Sequence, residues 1–234
     1  MKVPLLKLLS WNIWGGKYLP EVMDFLGKEN ADIVALQEVS EAHGGTTAGT
    51  IARAMGYESV YAPNVTFYER GKLVIRGNAV LSRYPIVRNQ TYALSSKESR
   101  VAVRADIDVR GTLLHVVCVH LIHSHQQPSL RQVEQVRYLI TGLPKERTII
   151  LGDFNALPES KTIQLMRGAF RDTDTANTPS WCLYPDGCKV CKPERVEWKL
   201  DYMFATEDLS VYDFSAGDSK GSDHLPIMAT LTLP

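Results

Sequence analysis

A chain of 234 residues, 44% apolar and 22% charged, can bury one substantial α/β core, and these fractions are those of an ordinary globular protein. Lys plus Arg number 26 and Asp plus Glu number 26, a balance that argues for no dedicated nucleic-acid coat protein yet leaves room for a local basic rim. No apolar run approaches the roughly 18 residues that suggest a membrane span, and no linker divides the sequence, so residues 1–234 read as a single domain.

The N-terminal stretch carries Lys2, Lys7 and several leucines and passes directly into Trp11 and Asn12. It reads as a buried first strand rather than a signal peptide, and the expected state is a cytoplasmic monomer. Short apolar, β-branched runs then recur between turn residues at 5–11, 33–37, 59–62, 79–82, 101–109, 113–120, 148–151, 200–205 and 226–233, and all read as strands. Helical spacing of apolar residues marks 19–28 and 128–143, with shorter helices expected at 46–55 and 160–167. Several adjacent strands look like hairpins. That excludes an all-parallel sheet and favours two packed sheets with helices outside them. Residues 173–194, rich in Pro, Asp, Lys and Cys, read as a surface loop.

Polar residues stand where these apolar runs stop. Asn12 ends the first run and Glu38 the second. His120 follows the run at 113–119, Asp153 and Asn155 follow 148–151, Asp201 opens the next strand, and Asp223 with His224 precede the last. Any one of them is an ordinary cap or turn former. Their repetition at successive strand ends is harder to explain that way, because strand ends can converge on one site. The residue types also suit phosphate hydrolysis. Carboxylates hold a hard cation, amides orient phosphate or water without adding charge, and an Asp-paired imidazole donates to phosphate oxygens.

Ser10-Trp11-Asn12, Gln37-Glu38-Val39, Gly152-Asp153-Phe154-Asn155, Leu200-Asp201-Tyr202 and Gly221-Ser222-Asp223-His224-Leu225-Pro226 together resemble the ordered motifs of the endonuclease/exonuclease/phosphatase superfamily. The resemblance runs over residues 5–233. It implies a four-layer α/β/β/α sandwich of two packed mixed sheets, and a Mg²⁺-dependent phosphoric ester hydrolase in which Mn²⁺ can substitute. It assigns Glu38 as principal metal ligand with Asn12 beside it and Asp223 near the metal or its waters. Asp153 would orient or deprotonate the attacking water, Asn155 would hold a phosphate oxygen, His120 would face the phosphate, and His224 would contact it with Asp201 as its orienting carboxylate. Trp14 stands where several relatives place a further acidic ligand, which argues against a second tightly held metal and leaves Trp14 to pack against substrate. Val119-His120-Leu121 resembles the sphingomyelinase, deadenylase and tyrosyl-DNA phosphodiesterase branches more than the abasic-site endonucleases.

The substrate expected is a nucleic acid, with a lipid head group or small phosphoester as the alternative. A silent binding module on the same fold is disfavoured by the intact set of polar residues. Cys182, Cys188 and Cys191 share one loop, with a Cys-x-x-Cys spacing that leaves bound zinc, a disulfide and unliganded thiols open, any fourth ligand coming from His43, His123 or His125. That loop is expected to lie outside the strand-end group and to be dispensable for chemistry; His123 and His125, just past a strand, are within reach of the site mouth but read as solvent-facing loop residues. Cys118, inside an apolar run, reads as a reduced core residue. Arg70, Lys72 and Arg76, with Phe67 and Tyr68, read as a hairpin tip or a nucleic-acid edge.

Overall fold

Strand β1 (Leu5–Asn12) runs parallel to β2 (Ile33–Ala42), and helix α1 (Leu19–Glu29) makes the crossover between them. Pro20 sits in the first turn of α1, and Asn30 closes it in the left-handed conformation at φ 53°. Val22, Phe25 and Leu26 form the buried face of α1, at the three- and four-residue spacing that a helix needs. The computed structural model describes residues 5–42, 45–69, 71–95, 100–124, 127–188 and 190–234. The side chains of His43, His125, Arg70 and Lys72 lie outside what is described.

The chain continues through β3 (Gly45–Thr46), α2 (Thr47–Met55), the hairpin β4 (Glu58–Glu69) and β5 (Lys72–Ser82), then β6 (Ile86–Ala93), β7 (Val101–Val109) and β8 (Thr112–His120). Helix α3 (Leu130–Gly142) leads to β9 (Thr148–Asp153), α4 (Lys161–Arg167), β10 (Arg171–Asp172), β11 (Asp201–Ala205), β12 (Ser210–Ala216) and β13 (Ile227–Thr232). Among the described residues these strands form two mixed sheets. The first has the order β12-β13-β1-β2-β5-β4, with β3 on the end of β2, and the second runs β10-β11-β9-β8-β7-β6.

The sheets face each other across Leu6, Leu8, Ile33, Val103, Val116, Ile149, Met203 and Ile227. Leu9, Trp11 and Leu36 point out of the first sheet to Val22 and Phe25 of α1 and Ile51 of α2. Val117, Val119 and Ile150 point out of the second to Val136 and Leu139 of α3 and Ile163 of α4. Both faces of the central strands are therefore buried, which is why they read as continuous apolar runs rather than as alternation. The layers are α/β/β/α, as the sequence implied. Cys118 lies in the inter-sheet layer, where burial pushes its thiol up to about 12. No helix among the described residues is long and apolar enough to cross a membrane.

Side-chain caps set three helix starts. Thr46 accepts from Gly49 N, Ser129 from Gln132 N and Ser160 from Ile163 N. The strand reading missed β6 and β12, edge strands whose side chains are mostly exposed and carry no apolar alternation. It also stopped β4 and β5 short, because their outer halves place Tyr68 and Leu73 in solvent. A third difference concerns Glu38, which does not end its strand. The pairing of β2 with β5 jumps from Leu36–Ala79 to Val39–Gly77, and Glu38 takes φ 55° in the resulting bulge while the strand runs on to Ala42.

Gly152 in β9 adopts φ 149°, and a Cβ there would meet the Val119 carbonyl oxygen of β8 at 2.0 Å. Gly152→Ala should therefore lower unfolding free energy by roughly 3 kcal/mol in urea titration, as strain and overlap of this kind do. Gly27, in α1 with open space around its Cα, is the contrasting case. Gly27→Ala should be neutral or stabilise by up to about 1 kcal/mol.

Candidate active site

Sheet register alone brings three of the anticipated side chains together. His120 on β8 is the partner of Asp153 on β9, and Asp153 is the partner of Asp201 on β11. From the other sheet, Asn12 at the end of β1 and Glu38 in the β2 bulge approach the same place. The loop before β13 is pinned to the end of β1, since Ser222 Oγ donates to Asn12 O at 2.6 Å and Trp11 Nε1 donates to His224 O at 2.8 Å.

Asp153 Oδ2 is the focus. Asn12 Nδ2 donates to it at 3.0 Å and Asn155 Nδ2 at 3.3 Å, with His120 Nε2 at 3.4 Å and His224 Nε2 at 3.6 Å. Its other oxygen accepts the Asn155 backbone N–H at 2.8 Å, which holds Asn155 at φ 48°. His224 Nδ1 lies 2.8 Å from Asp201 Oδ2, an oxygen that also accepts from Ser180 Oγ at 2.7 Å. Asn12 uses its amide hydrogens on Asp153 and, at 3.3 Å, on Glu38 Oε1, while its Oδ1 accepts the Trp14 N–H at 3.1 Å. Its amide nitrogen, not its oxygen, is thus turned toward Glu38. The other Glu38 oxygen pairs with Arg76 Nη1.

Burial and charge divide the two histidines. Burial lowers the pKa of His120 well below the free imidazole value, and nearby Arg100 adds to this, so His120 is neutral. Burial acts the same way on His224, but the Asp201 and Asp153 carboxylates outweigh it and raise its pKa to about 10. Burial raises Asp153 to about 7, against the pull of the His224 charge. Asp223 is raised by burial and, after the opposing pull of His224, by the Glu38 carboxylate.

Asn12, Glu38, His120, Asp153, Asn155, Asp223 and His224 all line one cavity of about 290 Å³. Asp201 stands behind this wall and reaches it through His224. The rest of the wall comes from Arg100, His123, Trp181, Gly187, Cys188 and Val190. The cysteine loop was expected to lie apart from the strand-end residues. It faces them instead, because Trp181 bridges His224 and Trp198 and its Nε1 donates to Asp223 Oδ2 at 3.1 Å. His123 likewise faces the cavity, with Nδ1 2.8 Å from Asn155 Oδ1. Trp14 is not part of the cavity wall. It stacks on Tyr184 with centroids 6.0 Å apart, and Lys17 Nζ lies 3.5 Å over its ring.

The pattern of the Endonuclease/Exonuclease/phosphatase family matches residues 9–224. An uncharacterized protein of Escherichia coli strain K12, YbhP, is 34% identical over 155 residues, an alignment covering 58% of this chain and 58% of that relative's length. An exodeoxyribonuclease of Bacillus subtilis strain 168 is 24% identical over 95% of this chain and 98% of its own. The crystal structure of an endonuclease/exonuclease/phosphatase from Beutenbergia cavernae superposes with a TM-score of 0.79 at 21% identity, over 98% of this chain and 72% of that one.

The His224 shift has a definite sign. A histidine whose pKa rises on folding contributes stability that is complete below the unfolded value of 6.5 and is lost as pH climbs through about 10. In Asp201→Asn the imidazole should titrate at lower pH than in the wild type, read by proton NMR. Stability above pH 7 should also fall less steeply with pH in the variant. An unmoved His224 titration would show that Asp201 does not hold its charge.

Proposed function

The chain belongs to the endonuclease/exonuclease/phosphatase family, and from that premise we propose that it is a divalent-metal-dependent phosphodiesterase acting on nucleic acid, as a nuclease or end-processing enzyme. The observation that carries this reading is the Asp153 carboxylate, buried and ringed by Asn12, Asn155, His120 and His224, with one cavity giving access to it. A carboxylate raised to about 7 is matched to taking a proton from water near neutral pH. In this reading water, held by Asp153, attacks phosphorus and loses its proton to that carboxylate as the ester P–O bond on the opposite side breaks. Cationic His224 and neutral His120 donate to the non-bridging oxygens, Asn155 turns to one of them the amide hydrogen that otherwise meets Asp153 Oδ2, and Asp201 keeps His224 charged.

The donor set fits a hard cation. Glu38 and Asp223 offer carboxylate oxygens to the same cavity and their charges repel one another, which a bound ion relieves. Mg²⁺, or Mn²⁺ in its place, would be held by these two residues and would neutralise charge on the phosphate. Asn12 stands beside the ion in this reading and bridges Glu38 and Asp153 through its amide hydrogens, which orients both carboxylates. Asp153, Asp201 and His224 also lie close enough together to hold a cation. His224 Nδ1 is engaged with Asp201 Oδ2 at 2.8 Å, and this trio is assigned to proton chemistry.

Two observations favour nucleic acid over a lipid head group. The Bacillus subtilis relative, matched along nearly its whole length, is an exodeoxyribonuclease. Beside the main cavity, a hollow of about 100 Å³ shares Glu38 and His120 and is lined by Phe67, Arg76 and Arg100, the pairing of aromatic ring and cation that suits a base and its phosphate.

Activity on single-stranded DNA, duplex DNA, RNA, sphingomyelin and a chromogenic bis-ester, measured with and without chelator, tests the proposal. Chelation should abolish turnover and Mg²⁺ or Mn²⁺ should restore it. Glu38→Gln should weaken the apparent metal affinity, and His224→Ala should slow turnover on the order of 100-fold. Adding Asp201→Asn to His224→Ala should cost scarcely more. On nucleic acid, kcat/KM should fall steeply with salt. Full activity in chelator, or preference for sphingomyelin over every nucleic acid, would overturn it.

A further inference from the structure

Against the cavity wall stands a group of ligands that phosphoester chemistry does not use. One imidazole nitrogen of His123 and the Sγ atoms of Cys188 and Cys191 lie within 4.8 Å of one another. Two sulfurs and an imidazole are soft and borderline donors, poorly suited to Mg²⁺ and well suited to Zn²⁺. Cys182, the third cysteine of the loop, is turned elsewhere and sends its thiol to the Tyr184 carbonyl at 2.9 Å.

The surroundings orient these donors as the outer partners of a metal site do. Asn155 spends its amide hydrogens on Leu121 O at 3.2 Å and Asp153 Oδ2 at 3.3 Å, so its Oδ1 is the atom that meets His123 Nδ1. An amide oxygen can only accept, so Nδ1 must carry the proton. The lone pair of neutral His123 is then on Nε2, which is the state of a ligating imidazole. On the other side the backbone N–H of Cys191 donates to Cys188 Sγ at 3.0 Å, and Lys192 N donates to Cys188 O at 3.0 Å. A hydrogen bond is thereby already placed to support a thiolate at Cys188.

We infer that His123, Cys188 and Cys191 bind one zinc-class divalent cation, separate from the hard-cation position at Glu38 and Asp223. Binding displaces one proton from each thiol to solvent, so two thiolates neutralise the ion's two charges. Water completes a tetrahedral shell. His123 follows β8 in sequence while Cys188 and Cys191 belong to the loop across the cavity. The ion therefore fastens that loop, with Trp181 and Gly187, to the sheet that carries His120 and Asp153.

The test uses the reduced full chain, loaded with zinc in excess Mg²⁺, desalted and assayed for metal. One zinc per chain should be retained, with retention unchanged in Glu38→Gln. Affinity measured against a chromophoric chelator should fall on the order of 100-fold or more in Cys188→Ser, Cys191→Ser and His123→Ala. Co²⁺ in place of zinc should give a thiolate-to-metal charge-transfer band that the cysteine variants lack. Because a variant can fail to fold, a second measurement uses only the wild type, in which zinc should protect Cys188 and Cys191 from alkylation. Alkylation at equal rates with and without zinc would overturn the site. So would zinc retained in full by the Cys188→Ser/Cys191→Ser double variant, or a Cys188–Cys191 disulfide in place of bound metal under reducing conditions.

Discussion

Asp153 is a carboxylate placed almost out of reach of water, at the seam where the two sheets come together, and such a group is costly unless its surroundings answer its charge. The first sheet sends Asn12, the second sends His120, the turn after β9 sends Asn155, and the loop before β13 sends His224. The demand propagates outward. His224 must be charged, so it needs Asp201; Asp201 needs Ser180; and Ser180 holds the loop that carries Trp181. Both sheets and the long loop therefore have to be in place before this single side chain is satisfied.

The layering was legible because burial on both faces leaves its mark on the central strands. Runs such as Val116-Val117-Cys118-Val119 can be read only as strands lying between two apolar layers. The site was legible for a related reason: polar residues stand out where a run of that kind stops, as His120 and Asp153 do. Edge strands leave no comparable mark. Arg88, Asn89 and Gln90 of β6 look like a loop because one flank of the strand needs no partner. Glu38 looked like a terminus because a bulge, like a strand end, interrupts the apolar pattern.

What the sequence concealed was the far wall of the cavity. Arg100 and Val190 have no periodicity to mark them, and His123 and Cys188 come together only because separate parts of the chain fold over the same opening. Cysteine spacing pointed to a local site with too few ligands. His123 was one of three candidate histidines, and only the fold brings it beside Cys188 and Cys191 from about 65 residues earlier in the chain. Arg76 was noticed for its charge and read as part of a hairpin tip or a nucleic-acid edge, and the length of β5 carries it back beside Glu38.

The bulge in β2 also bears on how this chain can change in length. Beyond it, Val39, Ser40 and Glu41 keep their pairing with Gly77, Arg76 and Ile75 only because one extra residue has been accommodated at positions 37–38. A single-residue deletion there would mend the ladder and leave those pairings as they are, but it would remove the left-handed residue that turns the position-38 carboxylate into the cavity. Insertions in the β6–β7 connection meet no such constraint, because β6 is an edge strand. Length variation should therefore be tolerated at the sheet margins and forbidden at one interior point of an otherwise regular strand, where an irregularity of the backbone holds a carboxylate in the cavity.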